Sequence, residues 1–136
     1  MSRSVQHLSG AVAWNGKGQY VIQAAATAAA ATQRFGYFVA PCDGEIVAAG
    51  YNVDVDPSHA TNNFSFGSVA DIDSIIDEID ITDIGLGYHD LMGATQGVDG
   101  FDSITKGEVY AFGWESGDTD GHLTAFLVID PRYADD

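Results

Sequence analysis

An all-β fold, a β-sandwich or jelly roll, is what this chain of 136 residues predicts. Three observations carry that expectation. Short runs of β-branched and aromatic residues recur, most alternating apolar with polar, as half-buried strands require. Gly, Asp, Asn and Pro cluster between the runs at close spacing, where tight turns need them. Finally, strands and helices do not alternate in the βαβ manner of parallel sheets, and no internal repeat is apparent.

Each element follows from its own residues. Residues 1–15 begin polar and become mixed, with Val5, His7, Ser9, Ala11 and Ala13 on one alternation, so they form an N-terminal arm or a first strand. Asn15-Gly16 tolerates positive φ and predicts a hairpin into Gln19-Tyr-Val-Ile-Gln-Ala. The run Ala24–Ala31 is too short to hold a helix unaided and is read as a strand end passing into a loop. Phe35–Gly50 reads as two apolar strands meeting at the turn Pro41-Cys42-Asp43-Gly44. Tyr51-Asn-Val-Asp-Val-Asp alternates until Pro57 stops it. Asn63–Val69 places Phe64 and Phe66 on one face. Then the period changes: Ile72, Ile75, Ile76 and Ile79 fall at helical spacing with acids opposite, predicting one short helix around residues 70–80. Residues 82–100 are rich in Gly and Asp. Residues 104–114 and 123–129 supply two closing strands around an acidic loop at 115–121, and Pro131 ends the last. The organisation expected is an arm at 1–15 and a single sandwich domain over 16–136, with an insertion at about 70–100.

Charge narrows the partners. Twenty acids, sixteen of them Asp, face five basic residues, for a net charge of −15. Such a surface repels phosphate backbones and anionic lipid, so neither nucleic acid nor a membrane is an expected partner. No apolar run reaches membrane-spanning length, and the N-terminus lacks the pattern of a secretory signal. Scarce Lys with abundant Asp suits a halophilic or marine habitat, where salt screens the self-repulsion.

Chemistry is harder to find. Asp54-Val-Asp56, Asp71-Ile-Asp73 and Asp118-Thr-Asp120-Gly121 each begin like a calcium loop. Ile75 then stands where a third ligand is needed, and His59 where the glycine belongs. His7, His59, His89 and His122 have no zinc-site spacing, and Cys42 is the single cysteine, so it forms no internal disulfide. Gly-x-Ser-x-Gly and phosphate-loop patterns are absent. The expectation is a protein that is not an enzyme, with no catalytic residues, metal or cofactor. Asn63-Phe64-Ser65 matches a glycosylation sequon inside a strand. Trp14, Tyr20, Tyr37, Tyr51, Tyr110 and Trp114 are candidates for a sugar-stacking platform, with core packing the alternative use.

Phe38-Val-Ala-Pro-Cys-Asp-Gly-Glu-Ile-Val-Ala-Ala is similar to a strand and turn of biotinyl and lipoyl carrier domains, but neither Lys17 nor Lys106 lies in the hairpin that family needs. Four motifs in order resemble the head decoration, or cement, proteins of tailed bacteriophages and haloarchaeal tailed viruses. These are Ala24–Thr32, Pro41-Cys-Asp-Gly44, Lys106-Gly-Glu-Val109 and Phe126-Leu-Val-Ile-Asp-Pro131. Residues 70–100 depart from that pattern. The resemblance implies a homotrimeric sandwich on the virion exterior, bound to the major capsid protein and without catalysis. Val5, Leu8 and Trp14 are the candidate contacts to capsid or neighbouring subunit. The alternative is a carbohydrate- or receptor-binding sandwich module of a tail fibre or cell-surface protein.

Overall fold

The computed structural model describes residues 11–14, 16–28, 32–57, 61–82, 85–92, 103–117 and 119–133. Ten strands carry most of them: β1 (Ala11–Trp14), β2 (Tyr20–Thr27), β3 (Thr32–Val39), β4 (Gly44–Val55), β5 (Asn62–Ser68), β6 (Asp71–Asp80), β7 (Gly87–Asp90), β8 (Ser103–Ile104), β9 (Val109–Ser116) and β10 (His122–Asp130). They form two antiparallel sheets, the arrangement of a β-sandwich. One runs β1-β2-β10-β4-β7, with β8 also on β4; the other runs β3-β9-β5-β6. The strand-turn-strand at residues 35–50 is present, but its strands do not pair with each other. Its turn carries the chain from the four-stranded sheet to the six-stranded one.

Side-chain size sorts the two layers. The inner face of the four-stranded sheet is aromatic, with Phe35, Phe38, Phe64, Phe66, Tyr110, Phe112 and Trp114 all buried. Phe66 and Phe112 ring centroids lie 5.0 Å apart and Phe35 and Phe112 5.4 Å. The facing layer is mostly aliphatic and small, including Ala24, Ala26, Ala49 and Ala125. This explains Ala24 and Ala26: inward alanines give the rings room. Gly36, at φ 70°, belongs to the same fit. A Cβ on it would stand 2.8 Å from Ala24 Cβ and 2.8 Å from Phe112 Cδ2. Gly36 and Tyr37 together oppose Ala111, an extra residue that lets both Phe35 and Phe38 point inward.

The helix expected at residues 70–80 is not there; β6 occupies that stretch. Its isoleucine spacing has another origin. Phe64 faces Ile79 and Phe66 faces Ile76, so a two-residue step on β5 meets a three-residue step on β6. Between Ile76 and Asp71 the strand holds three further extra residues before Ser68 is reached. Extra residues reset the alternation, and a strand then imitates helical period. β-Branched isoleucine fits this role better than a helix. The surplus folds back over the outer face, where Ser74 Oγ accepts from the Ser68 amide and Ile72 lies against Gly113.

Three polar groups inside the sandwich have identified partners. Trp114 Nε1 donates to Asn62 Oδ1 at 3.2 Å, and Tyr20 donates its hydroxyl to the Cys42 carbonyl. Asp130, fully buried at the end of β10, accepts from Arg132 Nε and Nη2 at 2.9 and 2.6 Å and from Gln19 Nε2 at 3.0 Å. The clamp ties the chain's last strand to the residue that enters β2. The Arg132 hydrogen bonds, working against burial, hold this carboxyl well below the ordinary carboxylate range.

Two expectations follow from the packing. Gly36→Ala, strained in φ and crowded, is expected to cost about 2–4 kcal/mol in urea unfolding followed by circular dichroism; an unchanged midpoint would refute the close approach. Because the folded pKa of Asp130 is depressed, its contribution is complete above the unfolded carboxylate value of about 4 and is lost as pH falls below it. Urea midpoints measured down through that range should therefore fall more steeply for the native protein than for Asp130→Asn, and parallel curves would argue against the clamp.

Candidate interaction surface

The titratable groups singled out in the sequence are dispersed. Cys42 is half-buried in the turn before β4, and burial first, then Asp43, pushes its thiol pKa up. His122 sits opposite Val55, at the other end of β4 and about 35 Å away along an extended strand. Its Nδ1 lies 2.6 Å from Asp54 Oδ1, a contact that lowers the Asp54 pKa. His89 packs its ring on Tyr51 at 5.2 Å, with Nε2 3.0 Å from the Gly85 carbonyl. Asp71 and Asp73 share a hydrogen bond, which with their like charge raises the Asp71 pKa. Among the described residues no three of His, Cys, Asp or Glu gather closely enough to hold a metal. His7, His59 and Asp118 lie outside the described residues.

The candidate aromatic platform also divides. Tyr20, Tyr51, Tyr110 and Trp114 are core residues, and burial pushes the Tyr51 phenol up to about 12. Trp14 and Tyr37 are exposed, on strands of different sheets. Of the candidate contact residues, Val5 and Leu8 fall outside the described part. Trp14 ends β1 with 57% of its surface exposed and its ring edge-on to Tyr20 at 5.4 Å. Asn63, in the sequon, donates its side-chain amide to Glu115 at 3.1 Å.

A contiguous surface emerges on the outward face of the six-stranded sheet. Register sets its members: Val128 lies beside Val21 on one side and Ala48 on the other, and Phe126 beside Gln23 and Gly50. Tyr88 of β7 crosses over Gly50 and stacks on Phe126 with centroids 6.1 Å apart. A Cβ on Gly50 would lie 2.4 Å from the Tyr88 hydroxyl, so a larger residue there would push the Tyr88 ring aside. Across the centre of this face, on β2, β10 and the middle of β4, no outward position carries a charge. In a chain of net charge −15 that is a marked partition. The carboxylates lie around it, Glu45 and Asp54 near the two ends of β4 and Asp90 on the edge strand β7, beside Gly50. Interfaces have this make-up, an apolar centre depleted of charge within a polar rim. The signal was present in the sequence. Leu123–Ile129 has one polar residue, Thr124, where a strand with a wet outer face would have several.

The other outward face differs. Arg34 reaches across it to donate to the Val69 carbonyl at 2.7 Å, and β6 folds its surplus over it. What remains is a cavity of about 140 Å³ between Arg34, Ser65, Ile72, Gly113, Glu78 and Glu115, smaller than an ordinary ligand site.

A solved structure shares this fold. It is a chain from the acidic stable capsid structure of Helicobacter pylori bacteriophage KHP30, matched with a TM-score of 0.52 over 83% of this chain and 88% of that one. At 13% identity the likeness is one of fold. Neither a protein-family model nor a curated protein matches the chain.

If the outward face is surface rather than core, neighbouring residues of β10 should respond differently. Phe126→Ala is expected to cost less than about 1.5 kcal/mol of stability, while Leu127→Ala costs about 2–5 kcal/mol. Equal losses in urea titrations would mean the face is part of the core.

Proposed function

We propose that this chain is a structural virion protein, a decoration protein seated on the outside of a tailed-virus head. It braces the lattice of the major capsid protein against internal pressure. The observation that carries the reading is the fold, shared over most of both chains with one from a bacteriophage capsid structure. The motif order that resembles cement proteins supports it independently. So does the uncharged centre of the outer face, which offers a capsid protein an area to cover without stripping water from carboxylates. The proposed assembly is the homotrimer that the resemblance implies, with each copy making modest contacts that sum through avidity. The acids of β6, on the other sheet, face outward, where high salt in a halophilic or marine setting screens them.

Sedimentation with isolated heads stripped of this protein tests the proposal. The native chain should co-sediment, and Phe126→Asp with Val128→Asp should abolish binding while leaving the fold's circular dichroism unchanged. Removing residues 1–14 should lower occupancy if the N-terminal segment, with Val5, Leu8 and Trp14, reaches a neighbour. Native protein that stays in the supernatant would sink the decoration reading.

A further inference from the structure

Strand β1 is an edge of the six-stranded sheet, and among the described residues it pairs with β2 alone. Edges are commonly kept from pairing by charge, proline or extra residues. β6, an edge of the other sheet, has two of these, with five carboxylates in ten residues and a bulging register. β1, with the sequence Ala-Val-Ala-Trp, has none.

The register of β1 adds a second observation. Val12 is opposite Ile22 and Trp14 opposite Tyr20, so both lie on the side of the sheet that faces the core. Yet they are 42% and 57% exposed, while Ile22 and Tyr20 are fully buried. β1 therefore lies at the margin of the covering layer, where it approaches β3 without being buried by it. Two apolar side chains stand at the rim of the sandwich, on a strand edge that no other described strand pairs with.

We propose that β1 pairs antiparallel with β1 of a second copy, about a two-fold axis perpendicular to the sheet and midway between the two Ala13 residues. Such an axis keeps the core side of both copies on the same side. Only registers that match core-side residues with core-side residues are then allowed. With Ala13 opposite Ala13, Val12 falls opposite Trp14 of the second copy, and Trp14 opposite its Val12. The two exposed side chains of each copy cover those of the other, at the separation of about 5 Å usual between opposed strand residues.

Charge selects this occupant. Two copies each carrying −15 can approach only where neither presents a carboxylate. β1 and the neighbouring outward positions Val21, Gln23 and Ala25 are neutral. A basic partner would find nothing to pair with there and would be drawn to β6 instead. The contact is isologous and makes pairs. In the trimeric assembly proposed above, it would join one trimer to the next.

The test uses free protein, so its failure is distinct from failure to bind heads. In a Cys42→Ser background, Ala13→Cys should form a covalent dimer with oxidised glutathione. Opposed residues across an antiparallel pair lie within disulfide range. Gln23→Cys, outward on β2, should stay monomeric. Adding Val12→Lys to the Ala13→Cys protein should suppress the dimer at least tenfold, and the exposed position of Val12 leaves the fold intact. A monomer band for Ala13→Cys, or equal dimer from both cysteine variants, would overturn the pairing. So would hydrogen-exchange protection of β1 that arises only on adding heads, which would assign the strand to a capsid protein.

Discussion

The whole fold depends on how closely two layers of unequal side chains approach. Aromatic rings line one sheet, and mostly alanine and aliphatic side chains line the other. Gly36 and Ala24 meet where a single added carbon has no space. Packing at this density leaves little freedom for either sheet to slide. It also fixes which residues of β2 point outward, and through β2 the composition of the outer face. The surface is thus a consequence of the core's fit.

Irregularity within strands is the second organising device. β4 carries an extra residue at Val47 and another at Asp54 relative to β10. The first moves the inward set from Ile46 to Ala49, Tyr51 and Val53; the second places Asp54 beside His122. These insertions mark the limit of what alternation can reveal. β2, β5, β9 and β10 were legible because their side chains keep strict period two. Residues 71–80 were not, because extra residues put isoleucines three and four apart, and only the partner strand shows that Ile76 and Ile79 face Phe66 and Phe64. The outer face was half-legible. Leu123–Ile129 announces a strand with little polar character, but which neighbour brings Val21 and Ala48 alongside is a matter of topology. Trp14 stood out as a contact candidate, but the cause of its exposure was not legible, since an edge strand at the margin of its partner layer reads like any other.

Acid and apolar surface occupy different parts of the molecule. β6 concentrates carboxylates on one sheet, while the centre of the other sheet has none. That separation leaves a strongly acidic chain with a neutral area, and the proposed attachment would use residues other than those that keep it dispersed.

The two tryptophans end in opposite circumstances. Trp114 is fully buried with its indole N–H bonded to Asn62, and Trp14 stands more than half exposed on the edge strand. Their emission should differ in wavelength and in access to a soluble quencher such as iodide. The chain therefore contains two optical reporters of its own, one following the integrity of the interior and the other the occupation of its rim.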